Sequence, residues 1–509
     1  MNNNPTPQAL AEDIWSKLRK RIFSDMPIRL VKMPEIVLVE RNEVLEYLVD
    51  KIAKISQQDI QRAIAETRAT RFYAGSGIPE IGDVFDTVIE RETRFAILSH
   101  TWGKDELAYN DLKNKKNKKR GCVGRRRSNQ SPGYAKLEHF CHVAHTEHDV
   151  EFGWMDTVCI DKSSSAELDE SIRSMFTWYR NAYICITYLA CSHTVDDVER
   201  DRWFTRGWTL QELVAPRRMK FYGVGWKPIT GLLDDKGLLW EGRVIPETDE
   251  RCLPLMNAIT RVTGITTKEI QRFHPNTHDI SERMGWIASR DTTRGEDKAY
   301  SMMGIFGVSI SIAYGEGTQR AFYRLFKAIL EVSSSHGLFN WAGSPVDDTI
   351  HPSDMIPSSA ECYLGVPTIW WHRRDLDVQV EEPATLTSAG MRMKVLTVPV
   401  QFSCVDSEWK AQCMLVEEEI IIWRGTDMME SPTNTEFAFG IWNFITGPRP
   451  VPRHSTAVLL RRWLEMGWDP KWRKMETAKV IAFEPCERFC EMTVEALASE
   501  NIRIETLYL

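Results

Sequence analysis

The spacing of apolar side chains changes near residue 95 and separates the N-terminal part of the chain from the rest. Before this point most apolar residues recur at helical spacing, as in the set Val44, Leu45, Leu48, Val49 and Ile52. Two short runs, residues 28–31 and 36–39, are rich in β-formers and interrupt the helical pattern. We therefore predict an N-terminal helical extension over residues 1–90.

After residue 95, short apolar runs alternate with amphipathic helices, which is the pattern of an α/β domain. Four of these runs predict strands, at residues 95–99, 152–161, 183–189 and 219–223. The helix predicted over residues 163–182 carries one apolar stripe, formed by Ile172, Met175, Phe176 and Tyr179 at positions i, i+3, i+4 and i+7. We predict that residues 91–230 fold as a parallel sheet flanked by helices.

Polar segments follow or adjoin the predicted strands. Strands joined by helical crossovers are parallel, and the loops after their carboxyl ends meet at one edge of the sheet, where ligands bind. Three segments meet this description, residues 100–106 (HTWGKDE), 161–165 (DKSSS) and 206–212 (RGWTLQE). The sequence therefore predicts a ligand site at this edge.

The pattern changes twice more towards the C-terminus. Residues 231–340 are mostly helical, and one of the predicted helices places Phe322, Leu325, Phe326 and Ile329 on a single face. From residue 341 apolar runs are separated by polar turns, which predicts a mostly antiparallel β domain over residues 341–509.

The composition indicates a folded protein without a general affinity for polyanions. The 509 residues are 43% hydrophobic and 27% charged, and a formal net charge of −7 gives no global basic field for nucleic acid or anionic membranes. The N-terminus lacks a signal-peptide pattern, and no apolar run approaches the roughly 18 to 20 residues of a membrane span. The 11 cysteines are scattered and odd in number, which suits a reducing compartment. We expect a cytoplasmic protein.

A basic run from Lys113 to Arg127 lies within a predicted insertion, residues 113–131. Blocks of like charge do not pack together, so we interpret the run as a solvated loop. Attachment to nucleic acid or anionic lipid is the alternative. However, no aromatic residue lies between Lys113 and Arg127 to stack on a base.

Several familiar site types lack their motif. The chain has no GxxxxGK[ST], GxGxxG after a strand, GxSxG or HExxH. These are the motifs of phosphate-loop, dinucleotide-binding, α/β-hydrolase and zincin sites, so none of these site types is predicted. One segment carries residues that can coordinate a metal ion at helical spacing, namely His139, Cys141, His142, His145 and His148. Such a helix is more often solvated or packed in a core than bound to zinc. We predict no metal site and no resident cofactor.

Glu212 has two competing interpretations. Thr209 and Glu212 have the spacing of a capping box, in which the glutamate stabilises the start of a helix, and the local sequence alone favours this role. Against it stands the expected position of Glu212 at the ligand-binding edge, close to residues 100–106 and Asp161. Convergence of polar and aromatic side chains on such a crevice suits a ligand of nucleotide size. Trp208 is likewise more often a core residue than a ligand platform.

Three segments, in order, resemble the signature blocks of the fungal heterokaryon-incompatibility (HET) domain. They are AILSHTWGKDE (96–106), WMDTVCIDKSSSAELDESIRSMFTWYRNAYICITYL (154–189) and WFTRGWTLQELVAP (203–216). Residues 283–322 resemble the helical region that comes next in this family, so the resemblance covers roughly residues 95–330. The HET fold is in turn similar to TIR domains, which implies a TIR-like, flavodoxin-like sheet.

The resemblance implies an effector of nonself recognition whose activation leads to growth arrest or cell death. By similarity to TIR domains that hydrolyse NAD at the nicotinamide glycosidic bond, Glu212 is the expected catalytic carboxylate. The expected substrate-binding residues are Ser99, His100, Trp102, Gly103, Asp105, Asp161 and Trp208. NAD is then a substrate. The alternative is a non-catalytic TIR-like adaptor, and for either function we expect self-association or a second incompatibility protein as partner.

Overall fold

The computed structural model describes residues 7–74, 81–117, 131–237, 239–240, 243–244, 250–333, 335–366, 382–405, 408–416, 420–424, 435–444, 451, 455–463, 471–486 and 493–509. The chain forms two compact units, Met1–His274 and Pro275–Leu509. The boundary between them falls inside the helical region predicted over residues 231–340. The finer division of the chain into four parts stays a prediction.

A six-stranded sheet forms the centre of the N-terminal unit, in the order β2-β1-β4-β3-β5-β6. Its strands are β1 (Arg29–Lys32), β2 (Val37–Glu40), β3 (Phe95–His100), β4 (Phe152–Trp154), β5 (Ile184–Tyr188) and β6 (Met219–Tyr222). Strands β4, β3, β5 and β6 are mutually parallel, which confirms the predicted parallel sheet. Strand β3 is buried along its whole length, as expected for a parallel strand covered on both faces.

The N-terminal extension contributes to this sheet. Strands β1 and β2 pair antiparallel with each other, and β1 continues the sheet by pairing antiparallel with β4. Both strands lie close to the two runs of β-formers predicted from the sequence. The first 90 residues are therefore not only helical, because they supply one edge of the sheet.

Helices surround the sheet of the N-terminal unit. In chain order they are α1 (Pro7–Lys20), α2 (Arg41–Ile52), α3 (Gln57–Ala74), α4 (Ile81–Glu92), α5 (Tyr109–Asn117), α6 (Pro132–Thr146), α7 (Asp156–Cys159), α8 (Ser165–Asn181), α9 (Thr209–Val214), α10 (Leu253–Thr263) and α11 (Thr267–Arg272). Helix α8 buries the predicted stripe of Ile172, Met175, Phe176 and Tyr179. A short ribbon of β7 (Leu239–Trp240) and β8 (Arg243–Val244) follows β6.

The strand predicted over residues 152–161 is wrong in extent. Strand β4 ends at Trp154, and the chain then forms the short helix α7 from Asp156. Thr157, Val158 and Cys159 on this helix are all buried. A continuous apolar run does not distinguish a buried strand from a buried helical turn, so the sequence pattern hid this change.

Arg29 on β1 attaches the N-terminal extension to the helices that follow β4. Its guanidinium donates to the Cys159 carbonyl at 2.9 Å and to Glu167 Oε1 at 2.8 Å. It also lies over the Tyr109 ring, 4.3 Å from the centroid. The side chain is only 7% exposed, so removing one partner of this pair would leave a buried charge without compensation.

The C-terminal unit combines helices with antiparallel sheets. Its helices are α12 (Ile280–Ala288), α13 (Asp297–Tyr300), α14 (Met303–Phe306), α15 (Thr318–Val332) and α16 (Val494–Ser499). Its strands are β9 (Thr385–Thr387), β10 (Gly390–Pro399), β11 (Gln401–Val405), β12 (Glu408–Gln412), β13 (Ile420–Arg424), β14 (Thr435–Ile441), β15 (Ser455–Trp463), β16 (Arg473–Lys474), β17 (Ile481–Phe483) and β18 (Arg503–Tyr508).

These strands form two antiparallel sheets, which confirms the predicted C-terminal β region. The larger has the order β16-β15-β14-β10-β18, with β17 pairing β15 and β9 pairing β10, and the smaller has the order β11-β12-β13. Apolar residues of both sheets, including Val398, Ala411 and Phe439, share one core. Helix α15 buries the predicted face of Phe322, Leu325, Phe326 and Ile329.

Two further sequence predictions concern the basic run and membrane association. Most of the run, residues 118–127, lies outside the described residues. At its start, Lys113 lies over the Tyr109 ring at 5.0 Å.

None of the helices in the described segments combines the length and the apolar character needed to cross a bilayer.

The loops after β5 and β6 touch at Gly223, and this contact predicts a strong effect of a single methyl group. A Cβ at residue 223 would lie 2.2 Å from the Ser192 carbonyl oxygen. We expect Gly223→Ala to lower the free energy of unfolding by about 1 to 3 kcal/mol, because backbone must move to relieve the overlap. Thermal and urea unfolding measure the loss. Gly231→Ala is the matched control, since no heavy atom lies within 4 Å of its Cβ position. Equal stability of the two variants would contradict the prediction.

Candidate functional site

The order of the parallel strands places a crevice beside β3 and β5. From β3 the chain crosses to β4 on one side, whereas β5 and β6 lie on the other side. In open α/β sheets the loops at such a reversal leave in opposite directions and open a crevice outside the carboxyl ends of the strands. Ser99 and His100 end β3, and Asp156 follows β4. These residues therefore lie where a ligand site is expected.

Glu212 belongs to a buried chain of hydrogen bonds at this edge. The Ser99 hydroxyl donates to Glu212 Oε2 at 2.5 Å, and the Trp203 indole N–H donates to the Ser99 oxygen at 2.8 Å. The Tyr179 hydroxyl also borders the Glu212 carboxyl group and donates to the Leu98 carbonyl at 3.1 Å. The contacts link the end of β3 to helices α8 and α9 through polar side chains in the core.

Burial controls the protonation of Glu212. The residue is 8% exposed, and burial raises the pKa of its carboxyl group to about 8. The hydrogen bond from Ser99 lowers this pKa, whereas the nearby charge of Asp156 raises it. Loss of solvation favours the neutral form of a carboxylic acid. At neutral pH Glu212 is therefore mainly protonated, which places its titration close to the physiological range.

The capping-box interpretation of Glu212 is wrong. Helix α9 has Trp208 at its N-cap position with no side-chain capping bond, and the Glu212 carboxyl group bonds to Ser99 instead. Thr209 does act locally, because its hydroxyl donates to the Trp203 carbonyl at 2.6 Å and to the Arg206 carbonyl at 2.8 Å. These bonds fix the turn before α9 and leave Glu212 directed at β3.

A second polar group surrounds His100. Its Nε2 atom lies 3.7 Å from Glu106 Oε2 and 4.0 Å from Asp156 Oδ1. Burial raises the pKa of Glu106, but His100, Lys136 and the Gly103 amide outweigh it and hold this pKa at about 2. Glu106 Oε1 accepts from Lys136 Nζ and from the Gly103 N–H, the latter at 2.8 Å.

Two atoms of this group face each other at 3.7 Å, which is longer than a hydrogen bond. Within the described residues, His100 Nε2 and Glu106 Oε2 are buried and have no hydrogen-bond partner. Buried polar atoms are normally paired, and each exception requires an explanation. Their position at the carboxyl end of β3 is consistent with a polar ligand or a bound water in this crevice.

Trp102 forms an aromatic platform at the mouth of the same edge. Its side chain is 51% exposed, although its indole N–H donates to Asp156 Oδ2 at 2.8 Å. Lys162 Nζ lies 3.7 Å from the ring centroid on one face. A large exposed aromatic ring held by a hydrogen bond is suited to stack on a planar ligand.

Gly103, Asp105, Asp161 and Trp208 complete the set of predicted site residues. Gly103 is exposed and directs its N–H to Glu106, and Asp105 is exposed. Asp161 accepts from the Ser163 N–H at 3.0 Å and from the Ser163 hydroxyl at 2.5 Å, so its carboxylate serves a local turn. Trp208 is half-buried at the start of α9. The structure therefore brings Ser99, His100, Trp102 and Glu212 to one edge, and Gly103 supports Glu106 there.

The histidines of α6 and of the turn after it do not converge. His139 stacks on Trp226 with ring centroids 5.8 Å apart, while His148 Nε2 lies 3.4 Å from the Tyr222 hydroxyl. Burial lowers the pKa of His148 to about 4. In the part of the chain that the structure describes, no three His, Cys, Asp or Glu side chains are arranged to hold a metal ion.

Two comparisons with known proteins relate this chain to incompatibility proteins. Residues 95–201 match the family model described as Heterokaryon incompatibility protein (HET). Residues 95–201 therefore correspond to a HET domain. It is also 39% identical over 248 residues to Vegetative incompatibility protein HET-E-1 of Podospora anserina, a match that covers 46% of this chain and 16% of that protein. No solved structure matches the chain.

Most of the site lies inside the matched part of the HET domain, and Trp203 and Glu212 come shortly after it. Sequence reasoning missed Glu106, Asp156 and Trp203. Glu106 and Trp203 stand inside segments that the resemblance singled out, but neither was selected from them. Asp156 was hidden because its segment was predicted as a strand. Since β4 ends two residues earlier, Asp156 takes the strand-end position that the sequence assigned to Asp161.

The raised pKa of Glu212 predicts a pH-dependent stability of the unit that contains the HET domain. The folded chain keeps a proton that the unfolded chain releases above the ordinary pKa of 4.5, so stability falls as pH rises towards about 8. We expect a loss on the order of a few kcal/mol over this range, with no further change above it. Thermal melts between about pH 5 and about pH 9 measure the effect.

Glu212→Gln supplies the control for this measurement. The variant lacks the titrating group, so the difference between the two stability curves isolates Glu212 from every other titrating side chain. Wild type should lose stability relative to Glu212→Gln as pH rises, and the difference should level off near pH 8. Parallel curves would show that Glu212 titrates normally.

Proposed function

We propose that this chain is an effector of heterokaryon incompatibility that triggers growth arrest or cell death. The HET domain and the similarity to a vegetative incompatibility protein support this role. We further propose that it acts in the cytoplasm, through self-association or with a second incompatibility protein. The match covers 16% of that relative. How this chain is activated is therefore proposed here and is not taken from the relative.

We infer a TIR-like fold for the HET domain. Numbered along the chain, the four parallel strands β3, β4, β5 and β6 have the spatial order 2-1-3-4. This is the beginning of the flavodoxin-like order 2-1-3-4-5, in which ligands bind at the point where the order reverses. Strand order supports the assignment independently of the quoted sequence motifs.

The activity that the site supports best is hydrolysis of NAD at the nicotinamide glycosidic bond, with Glu212 as the catalytic carboxylate. The observation that carries this proposal is the hydrogen-bonded carboxyl group of Glu212 beside the end of β3, with a pKa of about 8. Perturbed carboxyl groups of this kind occur preferentially at functional sites. Trp102, at the exposed mouth of the same edge, offers a surface for one of the planar rings of NAD.

The chemistry requires little beyond one placed carboxylate. The bond between the nicotinamide nitrogen and C1′ of the ribose breaks, and the electron pair leaves with neutral nicotinamide. The ribose passes through an oxocarbenium-like state, which a carboxylate stabilises. Water then bonds to C1′, and its proton passes to Glu212 or to solvent. The products are nicotinamide, ADP-ribose and one proton.

The substrate itself favours the ionised form of Glu212. Oxidised nicotinamide carries a positive charge, and an opposite charge nearby lowers the pKa of a carboxyl group. In the free protein, by contrast, burial holds the group protonated at neutral pH. Binding of NAD would therefore help to generate the carboxylate that the oxocarbenium-like state requires.

Limited access to Glu212 fits an effector that needs activation. With 8% of the residue exposed, the side chains above it must move before a ribose reaches the carboxyl group. Self-association is one event that supplies such a rearrangement, since loops at ligand sites often close or open on binding. The same burial favours the second candidate function, a non-catalytic adaptor, in which the Glu212 network only stabilises the domain.

Induced expression of variants distinguishes the two functions. We expect wild-type protein to lower cellular NAD and arrest growth, and Glu212→Gln to abolish both effects, because the amide cannot stabilise a cation. NAD is measured by enzymatic cycling and protein amount by immunoblot. Glu170→Gln on α8 is the matched control, since Glu170 is half-exposed and pairs with Arg41 outside the site.

Each outcome separates the proposals. NAD loss with wild type and Glu170→Gln, but not with Glu212→Gln, supports hydrolysis. Growth arrest without NAD loss, unchanged in Glu212→Gln, supports the adaptor. Equal NAD loss in all three proteins would remove Glu212 from the mechanism.

The pH dependence of the reaction provides a second test. If ionised Glu212 is the active form, kcat/KM should rise with pH and level off above about pH 8, because this ratio follows the pKa of the free enzyme. Steady-state assays with NAD across this range measure the profile. A rate that falls through the same range would instead assign Glu212 the role of an acid.

A further inference from the structure

A cavity of about 400 Å³ lies at the opposite edge of the same sheet, within the N-terminal unit. Its lining combines the end of α1, the segment before β3, the end of α8 and the segments before β5 and β6. The size falls within the range of about 300 to 1,000 Å³ that small-molecule sites occupy. The cavity is separate from Glu212, because it borders the amino ends of the parallel strands.

The lining is strongly basic. Seven cationic side chains face three acidic ones. The basic residues are Lys17, Lys20, Arg21, Arg94, Arg180, Arg217 and Arg218, and the acidic residues are Asp25, Asp86 and Glu90. Four positive charges are thus in excess here, in a chain whose net charge is −7. Such an excess runs against the overall charge and creates a local positive field.

Two of the arginines are held by backbone carbonyl groups. Arg21 Nη2 donates to the Asn181 carbonyl at 3.0 Å, and Arg180 Nη1 donates to the Phe273 carbonyl at 3.0 Å. Arg21 is partly compensated, because Asp25 lies 3.7 Å away and Glu90 is also close. Carbonyl oxygens accept a hydrogen bond but supply no net negative charge, so the Arg180 guanidinium group keeps most of its field.

Two more arginines lie over the Tyr183 ring, and neither they nor Arg217 form an ion pair among the described residues. The guanidinium groups of Arg94 and Arg218 lie over the Tyr183 ring at 4.3 and 4.7 Å from its centroid. Arg217 is exposed beside them. Burial lowers the pKa of Arg21 and of Arg180, and the charge of the nearby Arg217 acts in the same direction.

Helix stabilisation explains only part of this arrangement. Lys17 and Lys20 lie in the last turn of α1, and Arg180 lies in the last turn of α8, where cations offset the helix dipole. Arg94, Arg217 and Arg218 belong to no helix and precede strands β3 and β6. Clustering like charges around a cavity costs free energy, and a bound anion is the direct way to recover it.

We propose that this cavity binds a compact ligand carrying several phosphate groups. Guanidinium groups match phosphate oxygens in pairs, and several arginines around one cavity favour clustered phosphates over a single carboxylate. Both a soluble polyphosphate and a phosphorylated lipid headgroup have this chemistry. Lys17 is already paired with Asp86 and Asp13. The ligand therefore bridges Lys20 of the N-terminal extension to Arg94, Arg217 and Arg218 beside the sheet, so it clamps the extension onto the HET domain.

Binding is tested on the full chain with inositol hexakisphosphate and ATP as soluble probes, and with phosphatidylcholine vesicles containing phosphatidylinositol bisphosphate. Calorimetry and the shift of the melting temperature report the soluble probes, because a ligand that binds only the folded state stabilises it. Co-sedimentation reports the vesicles. We expect affinity to weaken as salt is raised, and Arg217→Gln/Arg218→Gln to lower it by about tenfold or more.

Arg200→Gln/Arg202→Gln is the matched control. It removes two exposed arginines of the segment after β5, at the other edge of the sheet, and changes the net charge by the same amount. Saturable binding of a soluble probe that the Arg217/Arg218 variant loses and the control keeps supports a soluble ligand. The same pattern with vesicles alone identifies a lipid headgroup. Absence of binding to every probe, or equal losses in both variants, would overturn the proposal whether or not the chain hydrolyses NAD.

Discussion

A carboxyl group placed inside the core is the constraint on which the candidate site depends. A buried carboxylate is costly unless it is protonated or bonded, and Glu212 is both. Its bond to Ser99 joins α9 to the end of β3, and Trp203 completes the link by donating to the same serine. The segment after β5 must therefore fold back over β3, which closes the crevice at the carboxyl edge of the sheet.

The two edges of this sheet differ in charge and in the way their charges are balanced. At the carboxyl edge Glu106 is paired with Lys136 and lies near His100, so opposite charges are close together. At the amino edge Arg180 bonds to a carbonyl group, and Arg94 and Arg218 lie over the Tyr183 ring. Balanced charges maintain a preorganised polar crevice, whereas unbalanced ones attract an oppositely charged ligand. One sheet thus presents two chemically distinct surfaces.

The pattern of apolar residues predicted the parallel strands and the buried faces of α8 and α15. These features depend on which residues of a short segment are buried, and that information is local in the sequence. The pattern did not predict α7, since a buried helical turn and a buried strand share the same apolar run. For Glu212, the local spacing from Thr209 alone favoured a helix-capping role. Only a contact across 113 residues, from Ser99 to Glu212, decides between the two. Such contacts depend on the fold and leave no local signal.

Asp156 connects the exposed and buried parts of the candidate site. It accepts from the indole of Trp102 at the surface, and its charge raises the pKa of Glu212 in the core. A cation that stacks on Trp102 would offset the charge of Asp156 as it arrives. The same cation would thereby favour ionisation of Glu212, because the repulsion that opposes it is reduced. Ligand arrival at the mouth and the charge of the buried carboxyl group are thus coupled through one side chain.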